Sequence, residues 1–168
     1  MKTIAYRGGV ITFRIPARWR EEYSEFDGGL FYEDRSDLGR TLRLKIVTMK
    51  SPKELGAGSG AEVLQVIVTK LKTDGVKCTI ETRNDGNAIL KYEEDTSERG
   101  AGLTIFYWVI ANSMPPRHAR VATFSYTIRA DERSESTVVR DLAMLEAEIG
   151  AATFSPVLGV FPAAGMTA

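Results

Sequence analysis

The sequence predicts an α+β fold, with an antiparallel β-sheet of about six to eight strands flanked by helices in an α/β/α sandwich. Three observations carry this expectation. Apolar and polar residues alternate with period two over most of the chain, as in half-buried strands. Apolar residues recur at helical spacing twice, in Ala61 to Lys72 and in Ser134 to Gly150. The run Leu103 to Ile110 is apolar on both of its faces, so it must lie mid-sheet with a layer on each side.

The elements follow in order. Lys2 to Tyr6 and Val10 to Ile15 flank Gly8 and Gly9 and read as an opening hairpin, which Pro16 stops. In its second strand Ile11, Phe13 and Ile15 share one face and Thr12 and Arg14 the other. The stretch from Ala17 past Trp19, Arg20, Tyr23 and Phe26 reads as a connection, and Gly28 and Gly29 punctuate it before a short strand over Leu30 to Asp34. A polar loop, Arg35 to Arg40, leads to a one-sided strand over Thr41 to Met49, with Leu42, Leu44 and Ile46 inward. A Gly, Pro and Ser-rich segment, Ser51 to Gly60, precedes the first helix, whose apolar stripe is read as Val63, Val66, Ile67 and Leu71. Asp74 and Gly75 end it, and Lys77 to Arg83 resumes a strand.

Asn84, Asp85, Gly86 and Asn87 form a strong hairpin turn, because Gly and Asn tolerate the positive φ that tight turns demand. Ala88 to Glu94 pairs back, and two long strands follow, Gly102 to Ser113 and His118 to Ala130, joined across Pro115 and Pro116. The second helix, Ser134 to Gly150, carries Val138, Leu142, Leu145 and Ile149 on one stripe. Residues 1–154 are expected to make a single domain, and 155–168 an uncharged tail, flexible or docked on the surface.

Composition narrows the function classes. The 22 basic and 22 acidic residues balance to zero net charge, so no uniform field exists to gather phosphate backbones or anionic lipid heads. No nucleic-acid partner is expected. The apolar runs fall far short of a bilayer span and no export signal is legible, so no membrane insertion and a cytoplasmic location are expected. Cys78 and His118 are the only cysteine and histidine, too few for an internal disulfide or for a metal site built on such ligands. No metal and no cofactor are expected.

The element order, together with Phe13-x-Ile15-Pro16-x-x-Trp19 and a closing Thr153-Phe154 after the last helix, resembles the PsbP-like superfamily over about Lys2 to Phe154. That superfamily includes the plant photosystem II extrinsic protein, the Mog-type factor that binds the GTPase Ran, and many bacterial proteins. The resemblance implies an antiparallel sheet between helices and a non-enzymatic adaptor, assembly or chaperone role. It carries no catalytic residues onto this chain.

Each candidate residue also has a plainer reading. His118 stands at a strand start after a proline pair, where a turn histidine is commoner than a general base. Cys78 fits a small buried hydrophobe in a strand. Gly56, Gly58 and Gly60 before a helix could cradle an anion but lack the Gly-Lys-Ser/Thr ending, so a flexible connection is expected. The acidic run Glu93, Glu94, Asp95 and Glu98 reads as a solvated loop at a strand end. Trp19, Arg20, Tyr23 and Phe26 are the candidate partner-binding group, with Trp19 capping the core and Tyr23 and Phe26 free to make contacts.

The leading expectation is a protein-binding adaptor or chaperone-like chain that performs no covalent chemistry and contacts another protein through a sheet face or the loops from Ala17 to Arg40. One alternative is a small-ligand binder or enzyme with a pocket between sheet and helix, lined by Tyr92, Tyr107 and Tyr126 with His118 at its mouth. The other is a homodimer formed by an exposed sheet face or edge, with the tail crossing between copies.

Overall fold

The computed structural model describes residues 1–26, 28–36 and 39–157. Two antiparallel sheets and two helices pack in layers, as the α+β expectation requires. The opening hairpin, β1 (Lys2–Tyr6) and β2 (Ile11–Ile15), turns through Arg7, Gly8 and Gly9, all at positive φ. It does not join the main sheet. The short closing strand β10 (Thr153–Phe154) pairs on the free side of β2, which makes a separate three-stranded sheet.

The main sheet takes its seven strands from the middle of the chain: β3 (Arg20–Ser24), β4 (Gly28–Ser36), β5 (Gly39–Lys50), β6 (Cys78–Thr82), β7 (Ala88–Glu98), β8 (Ala101–Met114) and β9 (His118–Arg129). Their order across the sheet is β3-β4-β5-β9-β8-β7-β6. The run that is apolar on both faces is β8, flanked by β9 and β7 and placed inside the sheet as its pattern demands.

One face of this sheet presents Phe31, Leu42, Leu44, Trp108, Phe124 and Ile128, all buried. The small sheet covers it with Ile11, Phe13 and Ile15, and α2 (Ser136–Gly150) covers it with Val138, Leu145 and Ile149. Phe13 is the hinge of this packing, because its ring meets Phe31 edge-on at 5.4 Å and Phe124 edge-on at 5.1 Å. On the opposite face α1 (Gly60–Thr73) lays Leu64, Val68 and Leu71 over Ala88, Leu90, Val109, Ala111 and Val121. It covers only part of that face. Beyond it Arg43, Lys45, Val47 and Met49 of β5 stand exposed, and Ile105 and Tyr107 of β8 are half-buried.

Four expectations need correction. The first helix is rotated relative to the predicted stripe: Leu64 and Val68 are buried and Val66 is 78% exposed. The cause lies in Gly60, where a Cβ would sit 2.7 Å from the Ala88 amide nitrogen and 2.8 Å from the Ala111 carbonyl. The helix start is pressed onto the sheet there, so positions four and eight residues on face inward. Secondly, this glycine run is a close-packed junction at its end rather than merely a flexible connection.

Thirdly, the segment after Trp19 holds the strand β3, at the outer edge of the sheet. Fourthly, the acidic run belongs to β7 and not to a loop, with Glu93 paired to Arg133 at 2.8 Å and Asp95 accepting from Thr104 at 2.7 Å. Of the predicted polar loop at 35–40, residues 37 and 38 lie outside the described residues, as does the tail from 158 onward.

Candidate functional site

Residues 16–26 leave the small sheet and enter the edge of the large one, and they turn one side inward and the other to solvent. A tight turn, in which the Trp19 amide donates to the Pro16 carbonyl at 3.0 Å, drops the indole into the core. Trp19 is 2% exposed and stacks on Tyr126, with ring centres 6.2 Å apart and planes 12° from parallel. Lys2 fixes the loop from the hairpin, since its Nζ donates to the Trp19 carbonyl at 2.6 Å and pairs with Glu21 at 2.7 Å. Trp19 therefore caps the core and takes no part in the outward side of this segment.

The outward side is β3 and the turn after it. Tyr23 packs one side of its ring against Tyr6 and Phe31, each 6.0 Å away, yet 57% of the residue remains exposed. Its hydroxyl donates to Glu21 at 2.5 Å, and burial, that bond and the Glu21 charge raise its pKa well above the usual tyrosine range. Phe26 is 85% exposed and Arg20 is exposed. Gly28 makes the turn possible, because it has φ of 83° and a Cβ there would lie 2.2 Å from the Leu44 carbonyl. Among the described strands β3 pairs with β4 only, so it forms the outer edge of the sheet.

Behind Trp19 lies a hollow of about 210 Å³ between α2 and the sheet, walled by Trp19 and Tyr126 and rimmed by Glu33, Arg40, Arg140 and Asp141. A second hollow of about 440 Å³ adjoins it along α2, between Pro16, Arg18 and Met144, and shares Arg140 and Asp141. Most charges here are already matched. Arg18 pairs with Glu33 at 2.7 Å, and Arg40 pairs with Glu132 at 3.2 Å and also with Glu135. Among the described residues Asp141 accepts only a long bond, 3.4 Å, from the Tyr126 hydroxyl. Burial raises the Asp141 pKa above the usual carboxylate range, although Tyr126, Arg140 and Arg18 oppose the shift. Burial also raises the Tyr126 hydroxyl, helped by the Asp141 charge.

The tyrosines of the predicted pocket are not brought together. Tyr92 and Tyr107 stack at 4.5 Å on the face that α1 partly covers, whereas Tyr126 lies on the opposite face. Strand alternation is the reason: Tyr107 pairs with Ser125, so its neighbour Tyr126 points the other way. His118 is half-buried at the start of β9, in register with Met114 and Lys50. Tyr92 and Tyr107 instead border a hollow of about 290 Å³ at the place where β6 begins. Burial, the Tyr107 hydroxyl and Glu94 push the Tyr92 pKa up to about 12.

On the other side of that sheet edge Trp108 donates to Glu146 at 2.5 Å, and Lys91 pairs with the same carboxylate. Burial opposes ionisation of Glu146, but these bonds outweigh it and hold the pKa below the usual glutamate value. Cys78 is half-buried in β6.

Two features of the structure escaped the sequence reading. Arg140 and Asp141 look like the solvent face of a helix, and only their spacing from Thr137 and Met144 would have marked a second stripe along α2. Arg120 is 1% exposed, and its guanidinium donates to the carbonyls of Ser155, at 2.7 Å, and Val157. It clasps the segment that follows β10. Among the described residues no group of three or more histidine, cysteine, aspartate or glutamate side chains could hold a metal, and no helix is long and apolar enough to cross a membrane.

No protein-family model matches this sequence, and no curated protein matches it either. Solved structures do share its fold. LpqN of Mycobacterium tuberculosis, described as involved in cell envelope biogenesis, superposes with a TM-score of 0.62 at 18% identity, over 87% of this chain and 83% of LpqN. A point mutant of the protein Mog1 gives 0.53 at 14% identity, over 91% of this chain and 95% of Mog1. A protein from Bacteroides thetaiotaomicron gives 0.58 at 14% identity over 96% of this chain, which spans about half (51%) of that protein's length. The fold is thus of the Mog1 type, in keeping with the PsbP-like resemblance at the level of architecture.

Proposed function

We propose that this chain is a non-enzymatic protein-binding adaptor, chaperone-like in kind, whose contact surface is the outer edge of the large sheet: β3, the turn after it, and the side chains of Tyr23 and Phe26. The observation that carries this is Phe26, 85% exposed at the end of an edge strand open to pairing. Covering such a ring is worth about 1.5–3 kcal/mol, and an open edge supplies backbone bonds that align an incoming segment. Tyr23 is held by Glu21, Tyr6 and Phe31, so it offers a rigid aromatic contact at little entropic cost. An adaptor role is also what the PsbP-like resemblance implies.

The test uses the protein and its partner purified from the cells in which they occur together. Phe26→Ser should unfold at nearly the wild-type temperature and Tyr23→Ser somewhat below it, because its ring also packs on Tyr6 and Phe31, yet both folded variants should lose partner binding, Phe26→Ser more completely. Full binding by both folded variants would overturn the proposal.

A further inference from the structure

The hollow behind Trp19 has groups left over after its internal pairs are made. Arg18 and Glu33 satisfy one another, and Arg40 is held by Glu132 and Glu135 and donates to Thr137 at 3.3 Å. Two charges facing the space then have no ion pair among the described residues: the Asp141 carboxylate and the Arg140 guanidinium. They are neighbours on α2, one of each sign, and both border the two adjoining hollows. The Trp19 indole Nε1–H is buried out of reach of solvent and has no acceptor among the described residues, so it belongs to the packing behind the hollow and not to its open surface. The stacked Trp19 and Tyr126 rings supply an apolar wall. At about 210 Å³ the space is smaller than the roughly 300–1,000 Å³ of drug-sized sites.

We infer that this hollow binds a small zwitterion of free α-amino acid type, with its ammonium on Asp141, its carboxylate on Arg140, and its body against the Trp19 and Tyr126 rings. Such a ligand answers both charges at once. A simple amine or a simple carboxylate would answer one charge and leave the other. Neither Tyr23 nor Phe26 borders this hollow, so the site does not depend on the proposed partner surface.

Titration calorimetry and tryptophan fluorescence on the full chain test this, with the twenty common free α-amino acids as probes and n-butylamine and butyrate as half-ligands. At least one amino acid should bind saturably, and each half-ligand should bind about tenfold or more weakly than it does. Arg140→Gln changes an exposed side chain and should fold as wild type, yet weaken that amino acid about tenfold or more, as should Asp141→Asn. Three results would each overturn the inference: no amino acid binding up to about 10 mM, a half-ligand binding as tightly, or affinity unchanged in Arg140→Gln.

Discussion

Replacing Trp19 separates what its ring does from what its N–H does. The residue is 2% exposed and stacked on Tyr126, so Trp19→Ala deletes a whole buried indole and leaves a cavity between α2 and the sheet. The cost expected for such a truncation is about 3–5 kcal/mol, a large share of the roughly 5–15 kcal/mol that keeps a typical protein folded. Trp19→Phe behaves differently. It keeps an aromatic ring facing Tyr126 and loses part of the indole volume, but it also discards a buried donor that has no acceptor, a burden of about 1–3 kcal/mol.

The two effects nearly cancel, so Trp19→Phe should lie within about 1 kcal/mol of wild type. Urea unfolding followed by far-ultraviolet circular dichroism measures both variants, and equal slopes would show that the unfolded states are comparable. A Trp19→Phe loss as large as that of Trp19→Ala would refute the reasoning, because it would mean that the indole N–H makes a bond worth keeping.

Other outcomes follow from the same structure. Leu64→Ala should cost about 2–5 kcal/mol, whereas Val66→Ala should change stability by no more than about 0.5 kcal/mol, since Leu64 is fully buried and Val66 is 78% exposed; equal losses would restore the predicted stripe. Asp141 titrates above its unfolded value because of burial, so the native state holds a proton that the unfolded chain has already lost. Its contribution to stability therefore falls as pH rises through the window between the two values. Measured as the difference from wild type, Asp141→Asn should gain stability as pH rises from the unfolded carboxylate value, about pH 4, through the higher native one. A difference that shrinks over that range would show that the carboxylate is well paired, and would remove one support of the zwitterion site.

Much of the architecture was legible because burial imprints period. Ile11, Phe13 and Ile15, or Leu42, Leu44 and Ile46, alternate because each strand has one dry and one wetter side. Leu103 to Ile110 loses that contrast because it lies inside the sheet, with α2 and the small sheet over one face and, on the other, α1 over Val109 while Ile105 and Tyr107 stay half-buried. β3 was missed for the converse reason: at the sheet edge Arg20, Glu21 and Tyr23 stay exposed, so no period marks a strand.

The register of α1 was misread because Val63, Leu64, Val66, Ile67 and Val68 offer two apolar stripes, and only the contact at Gly60 chooses between them. The candidate site was legible in part. Trp19, Tyr23 and Phe26 stand out as large rings in a connection, but which of them face outward depends on a turn at Pro16 and an edge pairing that lie outside local pattern. Arg140 and Asp141 gave no signal, since a charged pair on a helix reads as solvent-facing until Tyr126 and Trp19 are seen to wall the space beside it.

The partner surface at the β3 edge can be tested by photo-cross-linking in the cells where the protein occurs. A benzoylphenylalanine is placed at the position of Phe26 and, separately, at that of Ile80, which is 41% exposed on the opposite edge strand β6. A discrete cross-linked protein band from position 26 and none from position 80 is the predicted result. No band from position 26, or the same band from both edges, would contradict it.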